Sequence, residues 1–235
     1  MAYDQNELKR AAAAKAIEFV VDGMKLGLGT GSTAEIFLEL LAARVRGGLN
    51  VIGTATSVRT AEKARSLGIP IAALDDLAPL DLTIDGADEA DRKLNLIKGG
   101  GGALLREKIV AASSRRMIVI ADKTKLVPRL GGFPLPVEVL EYGQKTTVQR
   151  ISEALAGLGY DRVQVTLRNR DGLTFVSDSG NLIYDCELGS IVSPRKLAAA
   201  LAGIPGVVEH GLFIGLATIL IIAHPRKIQL IEKAK

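Results

Sequence analysis

Short apolar runs alternate along the chain with longer segments in which apolar positions recur every three or four residues. The first such segment opens at Asp4. Asp4 and Glu7 stand at capping-box spacing, and the positions Leu8, Ala11, Ala12, Lys15, Ala16 and Phe19 fall at helical intervals. This predicts a helix that Asp22-Gly23 ends. Met24–Leu28 predicts a short strand, followed by the glycine-rich stretch 27–33 and a helix reaching Arg46, with Ile36, Leu40 and Ala43 as its inner face. The rhythm then repeats. Val51–Ala55 predicts a strand and Ser57–Leu67 a helix, with Gly68 at the C-cap position. Ile71–Leu74 and Leu82–Asp85 predict strands, Ala103–Ala112 a helix, and Met117–Ala121 a buried strand. Short apolar strands separated by helices imply parallel pairing, and hence an α/β fold with a doubly wound, mostly parallel sheet.

The pattern changes at Gly131-Gly132-Phe133-Pro134-Leu135-Pro136, where two glycines and two prolines mark a boundary. The next segment reads as strand (Val137–Glu141), helix (Thr146–Leu158) and strand (Arg162–Leu167), then a hairpin region around Asp178-Ser179-Gly180-Asn181. Strand (Leu182–Asp185), helix (Pro194–Ala202) and strand (Gly206–Glu209) complete it. That order is the split βαβ, ferredoxin-like α+β unit. The chain then runs through an apolar, strand-like stretch, Leu212–Ile222, too hydrophobic for the surface of a small domain. Its return to the first sheet makes the second unit an insertion: residues 1–131 and 208–235 form one domain, and 132–207 the other.

Composition narrows the class of partner. The 235 residues are 48% hydrophobic, with a mean hydropathy of +0.24, enough for a sizeable core. Thirty Lys+Arg against 26 Asp+Glu leave a formal charge of +4, which suits an anionic small molecule and argues against nucleic acid. The absence of Trp points the same way. A single cysteine, Cys186, allows no internal disulfide, and with only His210 and His224 beside it there is no zinc cluster. Both histidines border apolar strands and are read as structural. The longest apolar stretch, 211–223, is 13 residues, short of the roughly 20 that span a bilayer. Asp4 and Glu7 precede any apolar run, unlike a secretory signal, so a cytoplasmic protein with no membrane partner is expected.

Four stretches can carry chemistry. The first, Gly27-Leu28-Gly29-Thr30-Gly31-Ser32-Thr33, links a strand to a helix, so its N–H groups and helix start favour a phosphate. A tight turn that merely closes a βα unit stays open as the alternative. Gly29-x-Gly31-x-x-Ala34 also fits a dinucleotide fingerprint, but no acid precedes Glu62 after the second strand. A P-loop is excluded because no Gly-Lys pair occurs. The second stretch, Asp85-Gly86-Ala87-Asp88-Glu89, places three carboxylates beyond a strand end. They are either an acid/base pair pushed apart in pKa or a solvated turn. The third, Lys98-Gly99-Gly100-Gly101-Gly102, precedes a helix and reads as a backbone cradle for an anion. Glu107, between Arg106 and Lys108, has the plain reading of a solvated helix face beside the catalytic one. The fourth, Ala121-Asp122-Lys123-Thr124-Lys125, offers lysines to a phosphate or is a basic turn.

In this order, the motifs resemble the ribose-5-phosphate isomerases of type A. The resemblance rests on the glycine stretch 27–33, Thr56-Ser57, Leu67-Gly68-Ile69-Pro70, Asp85-Gly86-Ala87-Asp88-Glu89, Lys98-Gly99-Gly100-Gly101 and Arg106-Glu107-Lys108. Phe133-Pro134-Leu135-Pro136-Val137-Glu138-Val139, Pro205-Gly206-Val207-Val208 and Gly211-Leu212-Phe213 extend it over nearly the whole chain. It departs at Ile214–Leu220, more apolar than the family pattern. The resemblance implies a Rossmann-like domain with an inserted ferredoxin-like one. It also implies interconversion of D-ribose 5-phosphate and D-ribulose 5-phosphate through an enediol(ate), with no metal or organic cofactor, in a homodimer or homotetramer. By the same resemblance Glu107 is the base, Lys98 stabilises the oxyanion and Asp85 opens the sugar ring. Thr30, Gly31, Ser32, Thr33, Gly86, Ala87, Asp88, Gly99, Gly100 and Gly101, with Lys125 and Lys9, hold the phosphorylated sugar.

Two other classes compete. A sugar-phosphate sensor would carry a DNA-binding helix-turn-helix, and the single helix before Met24 leaves no room for one. An amino-sugar phosphate deaminase would need a ring-opening histidine near its site, and a coenzyme A transferase a glutamate nucleophile in a longer chain.

Overall fold

The computed structural model describes residues 4–232. In chain order the helices are α1 (Gln5–Ile17), α2 (Ser32–Arg46), α3 (Val58–Ser66), the one-turn α4 (Leu74–Leu77), α5 (Leu104–Ala112), α6 (Gln144–Gly157) and α7 (Pro194–Ala202). The strands are β1 (Lys25–Leu28), β2 (Ile52–Ala55), β3 (Leu82–Asp85), β4 (Glu89–Ala90), β5 (Leu96–Ile97), β6 (Met117–Asp122), β7 (Leu135–Val139) and β8 (Gln164–Leu167). They continue with β9 (Asn169–Arg170), β10 (Leu173–Thr174), β11 (Leu182–Glu187), β12 (Val207–His210), β13 (Leu212–Phe213), β14 (Ile219–His224) and β15 (Lys227–Glu232).

The largest sheet has six strands in the order β2-β1-β3-β6-β14-β15. Neighbours from β2 to β14 pair in parallel, and β15 closes the edge antiparallel to β14. Strand β6 shows why these strands read as unbroken apolar runs: all six of its residues are buried. Ile118 and Ile120 pack with Leu8, Phe37 and Leu38 of α1 and α2, whereas Met117, Val119 and Ala121 pack with Ala111 of α5 and Phe213. A sheet covered on both faces needs apolar residues at every position.

The chain leaves this sheet after β6 and returns at β14. Between them lies a four-stranded antiparallel sheet in the order β12-β7-β11-β8. With α6 and α7 it builds a second core in which Ile151, Leu155, Leu197 and Leu201 meet Val137, Val139 and Cys186. The order of elements and of strands is ferredoxin-like, as expected. Cys186 is free and buried. A three-stranded sheet, β13-β5-β4, joins the two layers, since Ile97 and Leu212 pack into the second core.

Several expectations need correction. The inner face of α2 is Ala34, Phe37, Leu38, Leu41 and Ala42, with Ile36 and Leu40 at its margin and Ala43 exposed. The stripe lies one position from that expected because Phe37, the largest side chain, takes the centre. α1 ends at Ile17, earlier than Asp22, and turns bring Val20 onto the core. Ile71–Leu74 is no strand: only Ile71 bridges Gly53, and the chain then coils into α4 to bury Leu77. The run Leu212–Ile222 is two strands broken at Gly215, whose φ is +76°. Its second half occupies the sheet interior, with Ile219–Ala223 buried, which accounts for the unusual apolarity. Strands β4, β5, β9, β10 and β15 were not expected. Four of them have two residues each, too few to show a period. Among the described residues no helix is long and apolar enough to cross a membrane.

Candidate active site

From β1 the chain moves outward to β2 and then returns past β1 to β3 on its other flank, so the strand order reverses between β1 and β3. Open α/β sheets take ligands at that crevice, beyond the carboxyl ends of the strands. The loops after β1, β3 and β6 all end there. The resulting cleft is lined by Lys9, Thr30, Gly31, Ser32, Thr33, Gly86, Ala87, Asp88, Lys98, Gly99, Gly101, Glu107 and Lys125, joined by Gln5 and Ala121. Most of the candidate residues therefore meet in one place. Two do not line it. Asp85 lies beneath the floor, fully buried. Gly100 faces an outer groove with Phe133 and Arg168.

One end of the cleft suits a phosphate. α2 starts at Gly31 with no side-chain cap, leaving its first N–H groups toward the cleft, and Lys9 Nζ donates to Ser32 Oγ at 3.0 Å. Thr30 is otherwise engaged. Its N–H donates to Asp85 Oδ1 (3.1 Å), and its hydroxyl lies 2.8 Å from those of Thr56 and Ser57 and 3.0 Å from that of Thr60. This hydroxyl network ties the β1 loop to the β2 loop, and no sequence motif flagged it beyond the quoted Thr56-Ser57 pair. Gly29 has a stricter reason: a Cβ there would stand 2.1 Å from Asp85 Oδ1.

At the other end, three charged side chains converge out of water. Lys98 Nζ lies 2.9 Å from Asp85 Oδ2 and 3.3 Å from Glu107 Oε1, and it donates to the Gly86 carbonyl at 2.7 Å. All three side chains are at most 5% exposed. Glu107 gets there because α5 buries Leu104, Glu107, Val110 and Ala111, so the carboxylate occupies a core position of an amphipathic helix. That spacing was present in the sequence and outweighs the charged neighbours Arg106 and Lys108. Glu107 Oε2 is buried with no hydrogen-bond partner.

Burial pushes the Glu107 carboxyl up to about 8, the charge of Asp85 adds to this, and Lys98 opposes it. Burial likewise raises Asp85 against the pull of Lys98 and of the Gly86 and Thr30 N–H groups. For Lys98 burial opposes the charged form, but Asp85 and Glu107 outweigh it and hold the ammonium above its usual value. Asp88 accepts from the Gly100 N–H at 2.8 Å. The third carboxylate of its motif does different work: Glu89 accepts the N–H groups of Gly131 and Phe133, both at 2.7 Å, and so anchors the chain where it leaves the first sheet. Among the described residues no group of three or more His, Cys, Asp or Glu is placed to hold a metal ion.

A family model for ribose 5-phosphate isomerase A (phosphoriboisomerase A) matches residues 52–227. The chain belongs to the ribose 5-phosphate isomerase A family. Ribose-5-phosphate isomerase A of Rhodopseudomonas palustris (strain BisA53) is 58% identical over 229 residues, 97% of this chain and 95% of that one. The Bradyrhizobium diazoefficiens protein of the same name is 56% identical over 237 residues, 99% of this chain and 98% of its own. Among solved structures, ribose 5-phosphate isomerase A from Methanocaldococcus jannaschii superposes with a TM-score of 0.90 at 35% identity, covering 98% of this chain and 100% of that one. A D-ribose-5-phosphate isomerase in complex with phospho-erythronic acid gives 0.91 at 36% identity over the same shares. The isomerase activity and the α/β fold expected from the motifs are thus those of the family, and the chain is an isomerase.

Proposed function

We propose that this isomerase interconverts D-ribose 5-phosphate and D-ribulose 5-phosphate by proton transfer through an enediol(ate), with Glu107 as the general base. The observation that carries the reading is the unpartnered, buried Glu107 Oε2 beside Lys98 in a cleft whose far end is built for a phosphate. The phosphate binds at the start of α2 with Ser32, Thr33, Lys9 and Lys125. Anchoring that non-reacting end fixes the sugar chain in the cleft, and orientation of this kind lowers the barrier substantially. Asp88 and the glycine turn hold the hydroxyls.

Ring opening moves a proton from the C1 hydroxyl to the ring oxygen as the C1–O4 bond breaks. Asp85 exchanges that proton through Lys98, which touches both Asp85 and the cleft. Glu107 then takes the C2 proton, negative charge develops on the C1 oxygen, and the Lys98 ammonium stabilises it. The C2 hydroxyl proton passes to the C1 oxygen, and protonated Glu107 delivers a proton to C1 as the carbonyl forms at C2. A base whose pKa lies near the working pH is suited both to accept a proton from carbon and, after exchange with solvent, to give one back. The ammonium supplies the positive charge that a metal would otherwise bring, which supports a metal-free reaction.

The two-part organisation, residues 1–131 with 208–235 around 132–207, belongs to the same reading. The separate six- and four-stranded sheets support it, with β12 straddling the second boundary. The family resemblance supports a cytoplasmic homodimer or homotetramer.

Turnover in D2O with a chelator present tests the mechanism. Solvent deuterium is expected at C1 of the ribulose 5-phosphate formed, and Glu107→Gln is expected to abolish its appearance. Product free of solvent deuterium, or activity lost to the chelator and restored by a divalent cation, overturns it.

A further inference from the structure

The wall of the sugar end is a run of four glycines, yet the backbone there is held from outside. Arg168 lies between β8 and β9 of the second layer, its side chain 10% exposed. Its Nε donates to Asp185 Oδ2 at 2.8 Å, and its Nη2 pairs with Asp185 Oδ1. The remaining edge of the guanidinium faces the glycine turn, where Nη1 donates to the Gly99 carbonyl at 2.6 Å and lies 3.4 Å from the Gly100 carbonyl. Arg170 reaches the next carbonyl, that of Gly101, at 3.4 Å. Behind them Phe175 closes on Gly102, where a Cβ would stand 2.2 Å from the ring and φ is +87°.

A planar trans peptide points its C=O and N–H in opposite directions. The peptide joining Gly99 to Gly100 is therefore gripped at both ends: its carbonyl by Arg168, its N–H by Asp88 Oδ2 at 2.8 Å. In the next peptide the same arginine draws the Gly100 carbonyl outward, which turns the Gly101 N–H toward the cleft that Gly101 lines. Asp88 and the glycine turn, the groups assigned to the sugar hydroxyls, thus take their geometry from one side chain in the other layer. Glycines have no side chains to lock a turn, so an external clamp is what orders it.

We propose that Arg168, oriented by Asp185, is a positioning residue of the isomerase. It sets the glycine turn and Asp88 in register with Lys98 and Glu107 and leaves the phosphate end untouched. The inference rests on the functional reading above. A planar guanidinium holds the carboxylate and the carbonyls together, which a lysine ammonium cannot.

The test compares wild type with Arg168→Met, Arg168→Lys and Asp185→Asn, reading kcat, KM and competitive inhibition by inorganic phosphate. Displacement of the turn by about 1 Å is expected to lower kcat/KM of Arg168→Met by roughly 10²-fold. The inhibition constant for phosphate is expected to stay within about twofold of wild type, since Lys9, Ser32 and Thr33 are unaltered. Asp185→Asn falls between the two. Arg168→Lys keeps the charge beside Asp185 and serves if the methionine variant fails to fold, and its kcat/KM is still expected to drop. Normal kcat/KM in folded Arg168→Lys and Asp185→Asn overturns the inference, and so does phosphate inhibition weakened in parallel with turnover. Normal turnover in Glu107→Gln would instead overturn the base assignment, whatever the Arg168 variants do.

Discussion

Two lysines flank the ring of Phe213, Lys98 at 5.5 Å and Lys108 at 5.0 Å from its centroid, and each has a glutamate partner. Their surroundings differ in charge balance. Lys108 donates to Glu209 Oε1 at 2.6 Å and to the His210 carbonyl at 2.7 Å, with His210 Nδ1 at 3.3 Å. One cation meets one carboxylate, and among the described residues no side-chain oxygen of that cluster is stranded. Lys98 faces two carboxylates, and one oxygen of Glu107 is stranded. Burial moves groups in both clusters: it lowers Lys108 against Glu209, and with Lys108 it brings His210 down to about 4. Only at Lys98 do burial and, after it, the surplus negative charge leave a carboxylate near 8 with a free lone pair. A satisfied buried network rigidifies a fold, and an unsatisfied one stores reactivity. Consecutive residues of α5, Glu107 and Lys108, serve these opposite ends.

Breaking the reactive cluster has the largest expected effect. Glu107→Gln is expected to cut kcat by about 10³-fold or more with KM within a few-fold, as steady-state assays in both directions would show. Lys98→Met is expected to cost about 10²–10³ in kcat, and unaltered turnover would remove its oxyanion role. Lys108→Met tests the other cluster. It takes the cation from Glu209 and from the His210 carbonyl, so a loss of about 1–3 kcal/mol in chemical denaturation is expected, with kcat changed far less than in Lys98→Met.

The pH dependence sharpens the contrast. Because the free enzyme's base must be ionised, kcat/KM in the aldose-to-ketose direction is expected to rise with pH and level off above about 8. Stability should respond in opposite directions. Glu107 is raised from 4.5 to about 8, so its contribution is full below 4.5 and is lost as pH climbs to about 8. His210 is lowered from 6.5 to about 4, so its contribution is present above 6.5 and is lost as pH falls toward 4. Glu107→Gln is therefore expected to raise Tm at pH 8 by a few degrees and to leave the acid limb unchanged. A flat difference between variant and wild type from pH 5 to 8 would refute the raised carboxyl.

Much of the architecture was legible because its signals are local. The apolar runs at β1, β3 and β6, the glycine motifs and the acidic turn after β3 each declare themselves within a few residues. Thr30 to Thr33, Lys98 and Lys125 all reach the cleft expected of them. The short strands β4, β5, β9 and β10 were hidden because they exist only through pairing partners. Glu107 was legible in part: its spacing from Leu104 and Val110 marks an inward face, but its flanking charges mark an exposed one. Arg168 carried no signal at all, since an arginine between two short strands looks like any surface residue until the glycine turn is packed against it.

By itself the sequence determined the alternation of strands and helices, the parallel sheet and the loops at its carboxyl edge, since these follow from side-chain periodicity and backbone freedom over short spans. Tertiary structure alone decided which carboxylates lose their water, which lysine is left with excess negative charge and which arginine reaches across to hold a flexible turn. Those outcomes depend on desolvation and on distances of a few ångströms between residues far apart in the chain, and no local pattern encodes them.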